Sequence, residues 1–138
     1  MLNMILNFIG NCIQEPSPEI AQKVLEETQV ISVLDLFYEN RSNIELTTLD
    51  YSTWIVNCIV QKVVKSEIML VEQDLCATSN MLGQNLSITL KDEDLLLCIR
   101  LLGEMSEVHP VLIPHMATND VIARLCGFLE RSRDMTLQ

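Results

Sequence analysis

The residues best equipped for chemistry in this sequence are two histidines, five cysteines, an acidic triplet and a series of amides at helical spacing. His109 and His115 flank Pro110 and Pro114 and stand six apart, not at the i, i+4 spacing that sets two imidazoles on one helical face for a metal. Cys12, Cys58, Cys76, Cys98 and Cys126 form no CxxC pair. Their odd number and apolar surroundings fit reduced, buried thiols in an intracellular compartment. Asp92-Glu93-Asp94 would point in three directions around a helix, and a place in a first helical turn accounts for all three. No nucleophile elbow, P-loop or glycine-rich phosphate loop occurs. Neither catalysis nor a metal nor a cofactor is therefore expected. The polar edges remain: Asn3, Asn7, Asn11 and Gln14 in one segment, and Asp50, Thr53, Asn57 and Gln61 in another. Trp54, the only tryptophan, reads either as an edge-of-core residue or as a partner anchor.

Elements that could position these groups follow from apolar spacing. With 138 residues the chain suits one domain, and 49% hydrophobic but 4% aromatic residues favour an all-α core of aliphatic layers. The mean hydropathy of +0.25 implies either unusually complete burial or an apolar surface that meets a partner. Nine basic against nineteen acidic residues give a charge of −10, which argues against nucleic acid. That excess fits a basic partner or solubility alone. The N-terminal segment has no positively charged leader, and no apolar run reaches the ~18 residues of a membrane span.

The spacing predicts helices over 1–14, 18–27 and 29–38, with Ser17 and Thr28 as caps. A polar turn at 39–43 leads to the longest helix, 46–63. Two short helices, 66–72 and 74–82, should follow, with Gly83 as a left-handed stop. LSITL (86–90) alternates like a strand but has nothing to pair with. A further long helix is expected over 91–107, a short one over 109–116, and a last one over 121–131, with 132–138 frayed.

The chain also repeats. Asn11-Cys12-Ile13 returns as Asn57-Cys58-Ile59, 46 residues on, and the next matching position, Glu104, lies 47 further. Val30, Ile31, Leu34 and Phe37 correspond to Val121, Ile122, Leu125 and Phe128, each 91 residues later. A period of 46–47 residues is that of armadillo or HEAT units.

Residues 5–40, with FIGN (Phe8–Asn11), and VNCI (Val56–Ile59) resemble armadillo repeats, closest in pattern to the importin-alpha type. The resemblance extends in architecture over residues 1–131. It implies a right-handed α-solenoid of about three repeats: a third helix, two full triplets, then first and second helices. It also implies a concave groove, lined by the third helices, where Trp and Asn side chains hold an extended basic peptide of a partner protein. The Asn position is Asn11, Asn57 and then Glu104. The Trp position holds Asn7, Thr53 and Arg100, and Trp54 falls one residue late. Asn amides with the nearby carboxylates Asp50 and Glu104 are then the groups left to hold a peptide.

The expectation is a non-catalytic binding or scaffold module, cytoplasmic or also nuclear, that binds protein and neither nucleic acid nor membrane. Its alternative is a structural subunit, in a homo-oligomer or larger complex, docking through uncovered solenoid ends at Met1–Phe8 and Val121–Leu129.

Overall fold

Helical apolar spacing translates into helices throughout the computed structural model, which describes residues 1–88 and 91–137, with side chains to 135. In order these are α1 (Leu2–Gln14), α2 (Pro18–Thr28), α3 (Val30–Glu39), α4 (Leu46–Val64), α5 (Glu72–Ile88), α6 (Asp92–Val108), α7 (Ile113–Met116) and α8 (Asn119–Leu137). Short 3-10 turns lie at Arg41–Asn43 and Pro110–Leu112. The described residues contain no strand. Thus the protein is all-α.

Two rows of helices build the core. In one, α4 packs between α1 and α6; in the other, α5 packs between α3 and α8. The rows meet along α4–α5, α3–α4 and α5–α6. Aliphatic side chains fill the seam, among them Ile13, Leu34, Ile55, Ile59, Leu82, Leu101 and Met105, all with essentially no exposure. Neighbours on three sides explain why α4 buries the whole run Ile55–Val60 rather than one stripe. Several long-range hydrogen bonds join residues 47 apart. Lys62 donates through Nζ to the carbonyl of Glu15 at 2.8 Å. Tyr38 donates its buried hydroxyl to Asn85 Oδ1, and Gln22 binds Met69.

Four local expectations are corrected. The chain over 66–71 is not a helix, because α4 ends in a left-handed residue, Ser66 (φ 59°). Ser66 N–H donates to Val63 O and Glu67 N–H to Lys62 O, a Schellman closure on a residue other than glycine. Gln22 then satisfies the backbone that a helix would have satisfied: its Nε2 donates to Met69 O and its Oε1 accepts from Met69 N–H, both at 2.9 Å. Gly83 stops nothing; α5 runs through it to Ile88, so the Leu86–Ile88 part of the ambiguous stretch is helical, while residues 89 and 90 lie outside the described residues. A Cβ on Gly83 would sit 2.8 Å from Met116 O, so its glycine serves the close approach of α5 to α7. Thr28 is no cap: its Oγ1 donates to Val24 O at 2.6 Å, and Gln29 (φ 55°) is the joint between α2 and α3. Finally, α8 does not fray at 131 but continues through Leu137.

Burial sorts the thiols. Cys58 and Cys98 are 3% and 1% exposed, whereas Cys126 lies open on α8. A thiol reagent is expected to modify Cys126 fast and Cys58 and Cys98 only as the fold opens, read by mass spectrometry of the labelled peptides. Equal rates would contradict this packing.

Candidate binding face

The sequence candidates lie on α1, α4 and α6, and tertiary packing separates them into distinct environments. On α4, Thr47, Asp50, Tyr51 and Trp54 follow i, i+3, i+4, i+7 and so share one stripe. With Asn7 of α1 they line an open hollow of about 370 Å³. Trp54 and Tyr51 meet edge to face, with ring centroids 6.3 Å apart and planes at 63°. Trp54 lies directly over Gly10 of α1, where a Cβ would stand 2.8 Å from Cε3 and closer still to Cζ3 and Cη2. Gly10 thereby lets the indole bridge α1 and α4 while remaining half-exposed at the hollow. Trp54 thus packs against the core, as an edge-of-core residue does, and also lines the hollow.

A second, larger hollow of about 500 Å³ adjoins the first and shares Asn7 with it. Its walls are Phe8, Asn11, Cys12, Glu15 and Ile20. Asn7, Asn11 and Asp50 are exposed, so their polar atoms are available to a ligand. Each hollow carries a carboxylate, Asp50 in one and Glu15 in the other.

The remaining candidates are placed differently. Thr53 turns its hydroxyl onto its own helix, donating to Asp50 O at 2.9 Å. Asn57 is only 9% exposed, and its Oδ1 has no hydrogen-bond partner. It is therefore not presented as Asn11 is, although the two occupy matching places in the repeat. On α6, Arg100 and Glu104 pair with each other at 3.5 Å, an exposed i, i+4 bridge of the kind worth about 0.3–0.5 kcal/mol. Neither lines the hollows beside α1. Sequence reasoning missed Thr47, Phe8, Glu15 and Ile20. For Thr47 the i, i+3, i+4, i+7 stripe was a usable signal; Ile20 reaches the second hollow only through the packing of α2 on α1.

Among the described residues no three His, Cys, Asp or Glu side chains converge to hold a metal ion, and no helix is long and apolar enough to cross a membrane. The fold and this face together define an all-helical protein of two packed helix rows with an acidic, aromatic-floored surface. Comparison with protein-family models, with curated proteins and with solved structures finds no match.

Proposed function

We propose that this chain is a short armadillo-type α-solenoid and a non-catalytic protein-binding module, whose α1/α4 face holds an extended basic segment of a partner. The observation that carries the reading is the hollow in which Asp50 stands beside the Trp54–Tyr51 pair, with the Asn7 amide opposite on α1. A lysine or arginine suits it. The aliphatic stem lies on the aromatic surface, the cationic head reaches the Asp50 carboxylate, and Asn7 pairs with the peptide backbone. The adjoining hollow, with Glu15 and Asn11, offers a second cationic side chain a comparable place. A net charge of −10 raises the local concentration of such a ligand and disfavours an acidic one. Support for the solenoid comes from the hydrogen bonds that join units 47 residues apart and from the two helix rows. Asn57, Thr53, Arg100 and Glu104 have a smaller part in this reading than the repeat pattern assigns them.

The test uses a fluorescent peptide of alternating lysine and glycine, with a glutamate counterpart of equal length, titrated with the protein while anisotropy is followed. The basic peptide is expected to bind and to weaken as salt rises. Asp50→Lys, at an exposed position, is expected to cost about tenfold in affinity, or about 1.4 kcal/mol, and to flatten the salt dependence. Equal binding of both peptides, or indifference to Asp50→Lys, would overturn the proposal.

A further inference from the structure

The stripe of α4 that carries Asp50, Tyr51 and Trp54 does not stop at the first hollow. Cys58, Gln61 and Lys65 stand four, seven and eleven residues after Trp54, so the same face runs on to the C-terminal end of the helix. On α1, Gln14 follows Asn7 by seven residues and holds the matching place. Here Gln14, Cys58, Gln61, Lys62 and Lys65 line a further hollow of about 280 Å³. Its walls differ in kind from those beside Asn7. They hold two ammonium groups and two carboxamides but no carboxylate, in a chain whose nine basic residues face nineteen acidic ones. Cys58, 3% exposed, closes the floor. Lys62 is fixed in place: it donates to Glu15 O at 2.8 Å and pairs with Glu67 at 3.0 Å. Lys65 is exposed and forms no ion pair among the described residues.

We infer that the segment bound along the α1/α4 seam carries a carboxylate as well as its basic residues, and that this carboxylate enters the hollow between Gln61, Lys62 and Lys65. The inference rests on the proposed reading of the Asp50 hollow and gives it a polarity: a cationic side chain at the N-terminal end of α4, an anionic one at its C-terminal end. The donors select the charge. Ammonium and carboxamide N–H groups satisfy the oxygens of a carboxylate, whereas a lysine or arginine would meet like charge. They also limit it. Glu67 offsets one of the two lysines, and α1 and α4 both bring their carbonyl ends here, which disfavours a dianion such as a phosphate group. An exposed lysine holds a free carboxylate only weakly, so the group arrives tethered to a segment already held at Asp50, at a local concentration on the order of millimolar. Lys65 is fifteen residues beyond Asp50, about 22 Å along the helix axis. An extended peptide covers that span in roughly six to seven residues.

The test compares two fluorescently labelled peptides with blocked ends, each built on three lysines alternating with glycine. In one, a glutamate stands about six residues beyond the outer lysine on either side, so that both chain directions can reach the hollow. In the other, glutamine replaces both glutamates. Anisotropy with the whole chain gives the two affinities. Bulk attraction to a protein of charge −10 makes the glutamate peptide the weaker ligand. The hollow reverses that order, with an expected preference of about threefold for glutamate. Lys65→Ala, at an exposed position, is expected to bring the ratio of the two affinities to one or below, and Lys65→Arg to keep it. Lys23→Ala, the same change of charge on α2, is expected to keep it too. Binding of both peptides without a preference for glutamate would overturn this inference and leave the Asp50 reading standing. So would a preference that survives Lys65→Ala, or one lost equally in Lys23→Ala. Binding of neither peptide would overturn the two readings together.

Discussion

Gly10→Val is expected to destabilise the fold by about 3 kcal/mol, the upper part of the usual range for overpacking. The reason is the indole of Trp54, which occupies the space a side chain at Gly10 would need. Alanine should do less harm, because the clash is smaller and a helical Gly→Ala change returns up to about 1 kcal/mol of propensity. Urea unfolding monitored by the single tryptophan reads both consequences: a lower midpoint and an emission spectrum altered already in the native state. In a Trp54→Leu background, where unfolding is followed by far-UV circular dichroism because no tryptophan is left, the cost of Gly10→Val should shrink by at least half, since the obstructing ring is gone. An undiminished cost there would place the strain elsewhere than at this contact.

Alkali is expected to weaken the protein from about pH 9 upward. Burial pushes the Cys98 thiol up to about 12. Cys58 rises to about 11, again chiefly through burial, opposed by Gln14 and Lys62. In the unfolded chain both thiols ionise near pH 8.5. Between that point and about pH 11 the unfolded state has released two protons that the native state still holds, so stability falls as pH rises. The slope is about 1.4 kcal/mol per pH unit for each thiol, hence roughly 2.7 for the pair. Below pH 8 both contributions are fully present. Tyr38, whose buried hydroxyl is raised above the ordinary phenol range by burial first, adds to the loss above about pH 10. Denaturant titrations at a series of pH values should therefore show a steep decline from pH 9 upward, and Cys98→Ala should reduce the slope over pH 9–10 by about half. A flat profile to pH 10.5 would mean that these thiols are not as dry as their packing implies.

Much of the helical order was legible because helix periodicity is a local property. The starts and stops of α1, α4 and α6 follow from apolar residues three and four apart, from Pro16 and Pro18, and from the acidic triplet at the head of α6. The 46–47 residue spacing read from Asn11, Asn57 and Glu104 has a counterpart in the bonds joining Glu15 to Lys62, Gln22 to Met69 and Tyr38 to Asn85. Residues 66–71 were not legible. Whether they form a helix depends on Gln22, whose amide supplies their backbone with partners from a distant part of the chain.

The candidate face divides in the same way. Asp50 and Trp54 could be singled out by type and by their place on one helix, and they do share a hollow with Asn7. Asn57 has the same type and the matching repeat position as Asn11, yet one is buried and the other exposed. The sequence by itself determined most of the helical segments, 66–71 excepted, and which side chains recur at equivalent places, since both are set by spacing along the chain. Only the tertiary structure decided which of those equivalent places reach water. Inside the first row α4 has a helix on either side, whereas α1 at its edge has one, so identical side chains meet different surroundings. The glycine that admits Trp54 is likewise 44 residues away from it, a complementarity that no local pattern encodes.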